Sequence, residues 1–518
     1  MVIFSNISNC KTLWINFVKI VVVGGGTAGW LAALMISKMY KEQHEVTLVE
    51  SDSIGTIGVG EGSTGLLRTV LRNENWNFGC NEFDFMKKTK STPKLGILFK
   101  EWTDLEEEYM EPLDFPVESG FFESEPLLSF LKSNDVDISV ASVDGRFIKA
   151  DISGFYEDEN TIKGDYKHAH HFDAKLAADY FESVCGEDVN KINDTIEEII
   201  LDKKGCVESL VLSSKKVIKG DFFIDASGFS RIFAEKMGVN FIEYKELSLN
   251  SAIPFRIDHS YFDKPFFYTV AWAQKYGWMW MIPRTDSVGC GYIYDDRYIN
   301  EEQAKEEIEE KLGIKIEVIK NIKFTPGRLE NAWNKNVLSV GLSSNFLEPL
   351  EATSIHGTIS QLYNFIFLYL KDTLEDTITV ENQESYNSQT SRMIDNFRDV
   401  ILFHYAGVRT DTPFWKKINK KALENKNISN MIKISKSRLL SVFDIDIVYG
   451  GAGPTQFNWV LCALNHFSKE TATREINKFN RYEIAKNNEK DTIDYILSKK
   501  WLTNEEFLFF MSRWKEVH

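Results

Sequence analysis

The chain has 518 residues, 43% hydrophobic and 26% charged, with a formal net charge of −16. That length exceeds one simple core and indicates two or three domains or subdomains, and the acidic balance excludes a nucleic-acid backbone or an anionic membrane as the main partner. No apolar run reaches the roughly 18 residues that suggest a membrane span. The opening stretch MVIFSNISNCKTLWINF lacks the basic start and small-residue cleavage site of a signal peptide and reads as a short extension. Six scattered cysteines (Cys10, Cys80, Cys185, Cys206, Cys290, Cys462) show no Cys-x-x-Cys pair and no metal-ligand spacing, so a reduced, cytoplasmic protein without a bound metal is expected.

In chain order, the first predicted element is VKIVVV (Val18 to Val23), a β-branched run that reads as a buried strand. It runs into Gly24, Gly26 and Gly29, then into a helix whose Leu31, Leu34, Met35 and Met39 share one face. G-x-G-x-x-G between a strand and a helix is a dinucleotide fingerprint. The first glycine turns the chain, the second lets backbone approach a pyrophosphate, and the third permits close helix–strand packing. Backbone N–H groups at the helix start, from Thr27 and Ala28 onward, then face the phosphates. A second strand, EVTLVES, contains Glu50 near its end, placed to accept from a ribose hydroxyl pair.

A later apolar strand, DFFIDASGFSR (Asp221 to Arg231), ends in a small-residue turn at Asp225, Ala226, Ser227 and Gly228 that can pass close to a flavin or its pyrophosphate. This turn resembles the one with which flavoprotein monooxygenases complete an FAD site. No second glycine fingerprint exists for a nicotinamide coenzyme. The expected fold is therefore α/β, with one Rossmann-type FAD-binding unit of the flavin monooxygenase kind and electrons delivered from elsewhere.

Gly277 to Asp286, GWMWMIPRTD, sets Trp278 and Trp280 on one face of a strand, and Pro283 ends the ladder or confines it to an edge. Alone, such a pair reads as core packing. Beside a flavin fold, GWMWMIP resembles the W-x-W-x-I-P signature of flavin-dependent halogenases, the tryptophan-halogenase-like family. Other stretches are similar to that family in the same order. They are GVGEGS (Gly58 to Ser63, with Gly60 and Glu61) for the loop that straps the flavin, KLGILFKEW (Lys94 to Trp102), HHFDA (His170 to Ala174), FLEPLEATSI (Phe346 to Ile355), and FHYAGVRTDTPFWK (Phe403 to Lys416).

The resemblance implies an enzyme that uses FADH2 from a separate NAD(P)H-dependent flavin reductase, O2 and chloride, bromide or iodide to make hypohalous acid. Trp278 and Trp280 would stand beside the flavin and exclude the organic substrate, so that only a halide reaches the oxidant. The halide would rest against backbone amides of Thr353 and Ser354, where the chain changes to helical spacing and either residue is a reasonable N-cap. Lys94 would anchor the hypohalous acid by hydrogen bonding, or as a haloamine if burial depresses its pKa. Glu351 would stabilise the developing ring cation and take the departing proton, with Glu348 as a structural anion.

Departures bear on the substrate. Where free-tryptophan halogenases carry an HPF-like segment around the indole, this chain reads EPLDF, with Glu111 and Leu113 in those places. The usual glycine of the halide site is Ser354, and no clear match exists for the residues that hold an amino-acid head group, although Phe457 and Trp459 could line an aromatic cavity. The expected substrate is a small electron-rich aromatic, indole or phenol type. Residues 18–370 are expected to form a discontinuous FAD-binding domain with a substrate-pocket insertion near 80–130, covered by a mostly helical region, 371–518. NEEQAKEEIEEKLG should be a solvated helix by its charge pattern. The competing readings are a flavin-dependent aromatic hydroxylase and a nucleotide-binding protein without catalysis.

Overall fold

The computed structural model describes residues 18–55, 60–114, 124–159, 161–164, 168–478 and 481–514. The opening stretch with Cys10, and the Gly58–Val59 part of the expected flavin strap, lie outside them. The elements that build the site are β1 (Val18–Val23), α1 (Thr27–Met39), β2 (His44–Glu50), β3 (Thr92–Lys94), β4 (Gly96–Lys100), β5 (Glu108–Pro112) and β6 (Ala169–Phe172). They continue with β7 (Val189–Asn193), β8 (Phe222–Asp225), β9 (Ser251–Ile257), β10 (Thr269–Gln274), β11 (Gly277–Pro283), β12 (Val288–Tyr294) and β13 (Val337–Ser339). Three helices complete the set: α2 (Thr353–Asn364), α3 (Val380–His404) and α4 (Pro454–Ala463).

One sheet runs β7-β2-β1-β8-β13, all parallel, with the short antiparallel strand Trp333–Asn334 at its edge. The chain leaves β1 toward β2 on one side and later returns to β8 on the other. The order therefore reverses beside β1, and the crevice outside these carboxyl ends is where such sheets bind ligands. The helix α1 is buried nearly all round, Ala32, Ala33 and Ile36 included, rather than on one face as its spacing predicts. The helix Ala174–Cys185 and α2 pack on it from outside, which explains the second apolar face.

A second sheet of seven strands holds β9-β12-β11-β10-β4-β5, with Ile322–Lys323 at the far edge. Within it β11 is a central strand. Pro283 sits at the end of the β11–β12 hairpin, opposite Val288, so the proline closes the ladder without making an edge. Trp280 faces small cross-strand partners on both sides, Ala271 and Gly291, whereas Trp278 lies between Ala273 and Ile293. Apolar residues of this sheet share one core with the helical region, Ile97, Phe99 and Trp278 packing with Phe397, Tyr405 and Trp415. The helix Glu301–Leu312 is solvated as predicted, burying only Ala304, Ile308 and Leu312 and starting in an Asn300–Gln303 capping box. No helix among the described residues is long and apolar enough to cross a membrane.

Candidate active site

Three strand ends, those of β1, β8 and β13, converge at the crevice, with Glu50 at the end of β2 beside them. Gly24, at φ +116°, has no room for a side chain, since a Cβ there would fall 2.2 Å from the Ala226 carbonyl oxygen, and one on Gly29 would fall 1.9 Å from that of Gly24. A Cβ on Gly26 would meet nothing within 4 Å, and no side chain caps the N–H groups of α1 that start at Thr27 and Ala28. This open, unpaired helix start is the surface a pyrophosphate needs. Glu50 closes β2, held by Lys191 at 2.6 Å and by the Trp30 indole N–H at 3.2 Å, and its carboxylate folds over Gly25. On the other side of β1, Asp225 is buried and accepts from Ser227, while its Oδ2 has no partner. Burial pushes its pKa up. Gly228 follows at φ +70° with open space where a Cβ would stand.

Sequence reasoning missed the third end, Gly341–Ser343 after β13. Val340 N–H donates to the Asp225 carbonyl, Ser343 Oγ to the Gly228 carbonyl, and a Cβ on Gly341 would lie 2.8 Å from the Ala28 Cβ. The stretch SVGLSSN, a strand followed by small residues, was the available signal. Together these residues fit a dinucleotide: an open glycine backbone, uncapped amides, and an acid at each side of β1.

Lys94 ends β3 where the chain turns from the small Glu61–Gly62/β6/β3 sheet into β4 of the large one. It is 1% exposed, and its ammonium donates to the Ser63 carbonyl at 3.2 Å beside Gly62. Burial lowers its pKa to about 8, and the charges of Glu351 and Glu111 oppose that fall. In the same strap, the Glu61 carboxyl is buried and pushed up to about 7, first by burial and then by Asp173. Gly60, at φ +131°, lies over Ile282 at the end of β11.

Near Lys94, which is not itself on the wall, a cavity of about 220 Å³ is lined by Thr64, Ile97, Phe397, Gln456 and the two acids that act on the lysine, Glu111 and Glu351, among others. Glu351 receives the Gln456 side-chain N–H at 3.0 Å on one oxygen, and the other lies 2.7 Å from His404 Nε2. The opposite nitrogen of His404 is 2.9 Å from the Tyr109 hydroxyl. Burial, then Tyr109's acidic neighbours Glu111 and Glu351, raise the pKa of that hydroxyl well above its usual value. His404 lies within the Phe403–Lys416 stretch that sequence reading singled out, yet its role was not read there. Arg409 and Trp415 of that stretch instead tie the sheet edge, donating to backbone carbonyls of Glu101 and Gln274.

Glu348 points elsewhere. One of its oxygens accepts from the Trp278 indole N–H at 2.9 Å and from the Tyr405 hydroxyl at 2.5 Å. Burial raises its pKa to about 7 against those two bonds. Trp278 itself is 1% exposed and packs against Trp102, whereas Trp280 keeps a partly open face. At the expected halide position, the N-cap is neither Thr353 nor Ser354. Ala352 takes it in the left-handed conformation (φ 53°, ψ 31°), with no side-chain cap. Thr353 lines the cavity and Ser354 is exposed. Phe457 and Trp459 are buried core residues outside the cavity wall, Trp459 donating to the Met110 carbonyl.

Two clusters place three ligand-type atoms within 4.8 Å of one another, Glu82–His168–His170 and Glu111–Glu351–His404. A protein cation already serves each. Arg72 pairs with Glu82 at 2.6 Å, and Lys94 acts on both cavity carboxyl groups.

The description "Tryptophan halogenase" matches residues 19–472 as a family. The tryptophan 7-halogenase of Lentzea aerocolonigenes is 31% identical over 429 residues, 77% of this chain and 78% of its own. The tryptophan 6-halogenase of Streptomyces toxytricini is 29% identical over 480 residues, 86% and 88% of the two chains. A solved flavin-dependent halogenase from Xanthomonas campestris superposes with a TM-score of 0.80 at 26% identity, over 96% of this chain and 98% of that one. Fold and crevice thus define an FAD-binding α/β enzyme. The chain belongs to the tryptophan halogenase family.

Proposed function

We propose that the protein is a flavin-dependent halogenase that passes hypohalous acid to Lys94 for electrophilic halogenation of a small electron-rich aromatic, indole or phenol type. The FAD unit is of the Rossmann type, with Gly24, Gly26, Thr27, Ala28, Gly29, Glu50, Asp225 and Gly228 holding the cofactor and Gly60 and Glu61 strapping it. Bound FADH2, with O2 and halide, supplies the oxidised halogen. The reduced flavin comes from a separate NAD(P)H-dependent reductase, and the five free cysteines among the described residues suit a cytoplasmic setting.

The residues then divide the work. The uncapped amides at Thr353 and Ser354 hold the halide. Trp280 and Trp278 wall the organic substrate away from the oxidant. With a pKa near 8, Lys94 has a reactive share of free amine at neutral pH. That amine and HOX give a haloamine and water, the halogen moves to the ring, and Glu351 takes the ring proton. The burial of Lys94 beside a cavity lined by Glu351 carries this reading. The test supplies FAD, a reductase, NADH and O2, and offers chloride, bromide and iodide with indoles and phenols under mass spectrometry. Halogenated product is expected. Oxygenated product without halide would instead establish the hydroxylase alternative.

A further inference from the structure

The cavity near Lys94 is mostly apolar on one side, with Ile97, Leu113, Phe397, Val400 and Ala452, and its polar lining includes Glu111, Glu351 and Gln456 together with Thr64, Thr353 and His356. Gln456 donates to Glu351, and His404 Nε2 lies 2.7 Å from the other Glu351 oxygen without hydrogen-bond geometry. Glu111 is not so engaged. It lies opposite Ile97 on β5, is 3% exposed, and its Oε2 has no hydrogen-bond partner, the nearest cation-capable atom being His404 Nε2 at 3.9 Å. Glu348 Oε1 and Glu351 Oε1 are also buried without a partner, but Glu348 does not line the cavity and Glu351 is already bonded by Gln456. Glu111 is thus the cavity carboxyl group with no side-chain donor of its own.

We propose that Glu111 is the specificity-determining residue of this cavity, hydrogen-bonding the ring N–H or O–H of the aromatic substrate through Oε2. The proposal rests on the halogenase reading for the identity of the cavity. Two carboxyl groups this close in a dry site do not both ionise. Burial and then Glu351 hold the Glu111 pKa well above the usual carboxylate range, against Lys94, which favours its neutral form. A neutral acid can accept from an indole N–H, or both accept from and donate to a phenol. It gives an anionic head group nothing to pair with. The protic edge of the ring is thereby fixed against β5, and the rest of the ring is left to face Glu351.

The test is equilibrium binding to the full-length, FAD-loaded protein of two isosteric pairs, indole against benzofuran and phenol against toluene. The unsubstituted protein should favour the protic member of at least one pair by roughly tenfold or more, and the pair with the larger ratio identifies the source of the group. Glu111→Gln, which keeps shape and hydrogen-bonding capacity, should keep the preference. Glu111→Leu should bring the ratio to about one. Circular dichroism and flavin fluorescence establish that each variant is folded and loaded. Retention of the full preference in Glu111→Leu, or its absence from the unsubstituted protein, overturns the proposal. Halide-dependent oxidation of a diffusible dye by the unsubstituted protein tests the halogenase reading separately, so the two can fail independently.

Discussion

Glu348 and Glu351 leave the same short 3₁₀ turn, yet they enter opposite surroundings. Around Glu348 an aromatic box of Trp278, Tyr405, Trp102 and Trp415 closes completely, and both donors converge on one oxygen. Around Glu351 the partners Gln456 and His404 split between two oxygens, and the remaining side is a cavity. Both residues are buried, so burial does not separate a structural acid from a reactive one. What separates them is whether space for a reactant adjoins the carboxyl group. The Trp278–Glu348 bond also ties the tryptophan strand to the turn that carries Glu351.

The comparison can be broken by substitution, and the largest effect is expected at Lys94, which lies on the Glu351 side. Lys94→Ala should cut halogenated product by on the order of 10³-fold while flavin fluorescence shows FAD still bound; near-normal turnover would refute the assignment. Glu351→Gln should cost roughly 10²-fold or more in kcat, and Glu348→Gln less than tenfold. The reverse ranking by steady-state kinetics would exchange their roles.

Two stability titrations sharpen the contrast, each worth at most about 3 kcal/mol. The folded pKa of Lys94 is depressed from 10.5 to about 8, so between those values the unfolded chain holds more protons and stability rises with pH. That of Glu348 is raised from 4.5 to about 7, so its contribution is complete below pH 4.5 and fades as pH climbs through 7. Denaturation of Lys94→Met and Glu348→Gln across pH should show the respective slope gone. An unchanged slope in either variant would mean that the residue is not buried as described.

Local patterns carried much of this into the sequence. Gly24, Gly26 and Gly29, Glu50 and the Trp278 strand are legible because each sits inside one strand–turn unit whose geometry is set by neighbours along the chain. Lys94 and Glu351 were legible through resemblance. His404, Gln456 and the Gly341 turn were not, because each acts on a residue brought to it by a different part of the fold. His404 reaches Glu351 across 53 residues and Gln456 across 105. The capping of α2 was misread for a simpler reason. Thr353 and Ser354 are common capping residues, but here a left-handed alanine makes the turn and leaves the amides open.

One missing atom on a neighbouring strand governs the wall's posture. A methyl group on Gly291 would fall 2.1 Å from the Trp280 ring, so that indole lies flat only because β12 offers a notch opposite it. Gly291→Ala would lever the ring outward without touching either tryptophan and, on the proposed function, would set ajar the partition between oxidant and organic substrate.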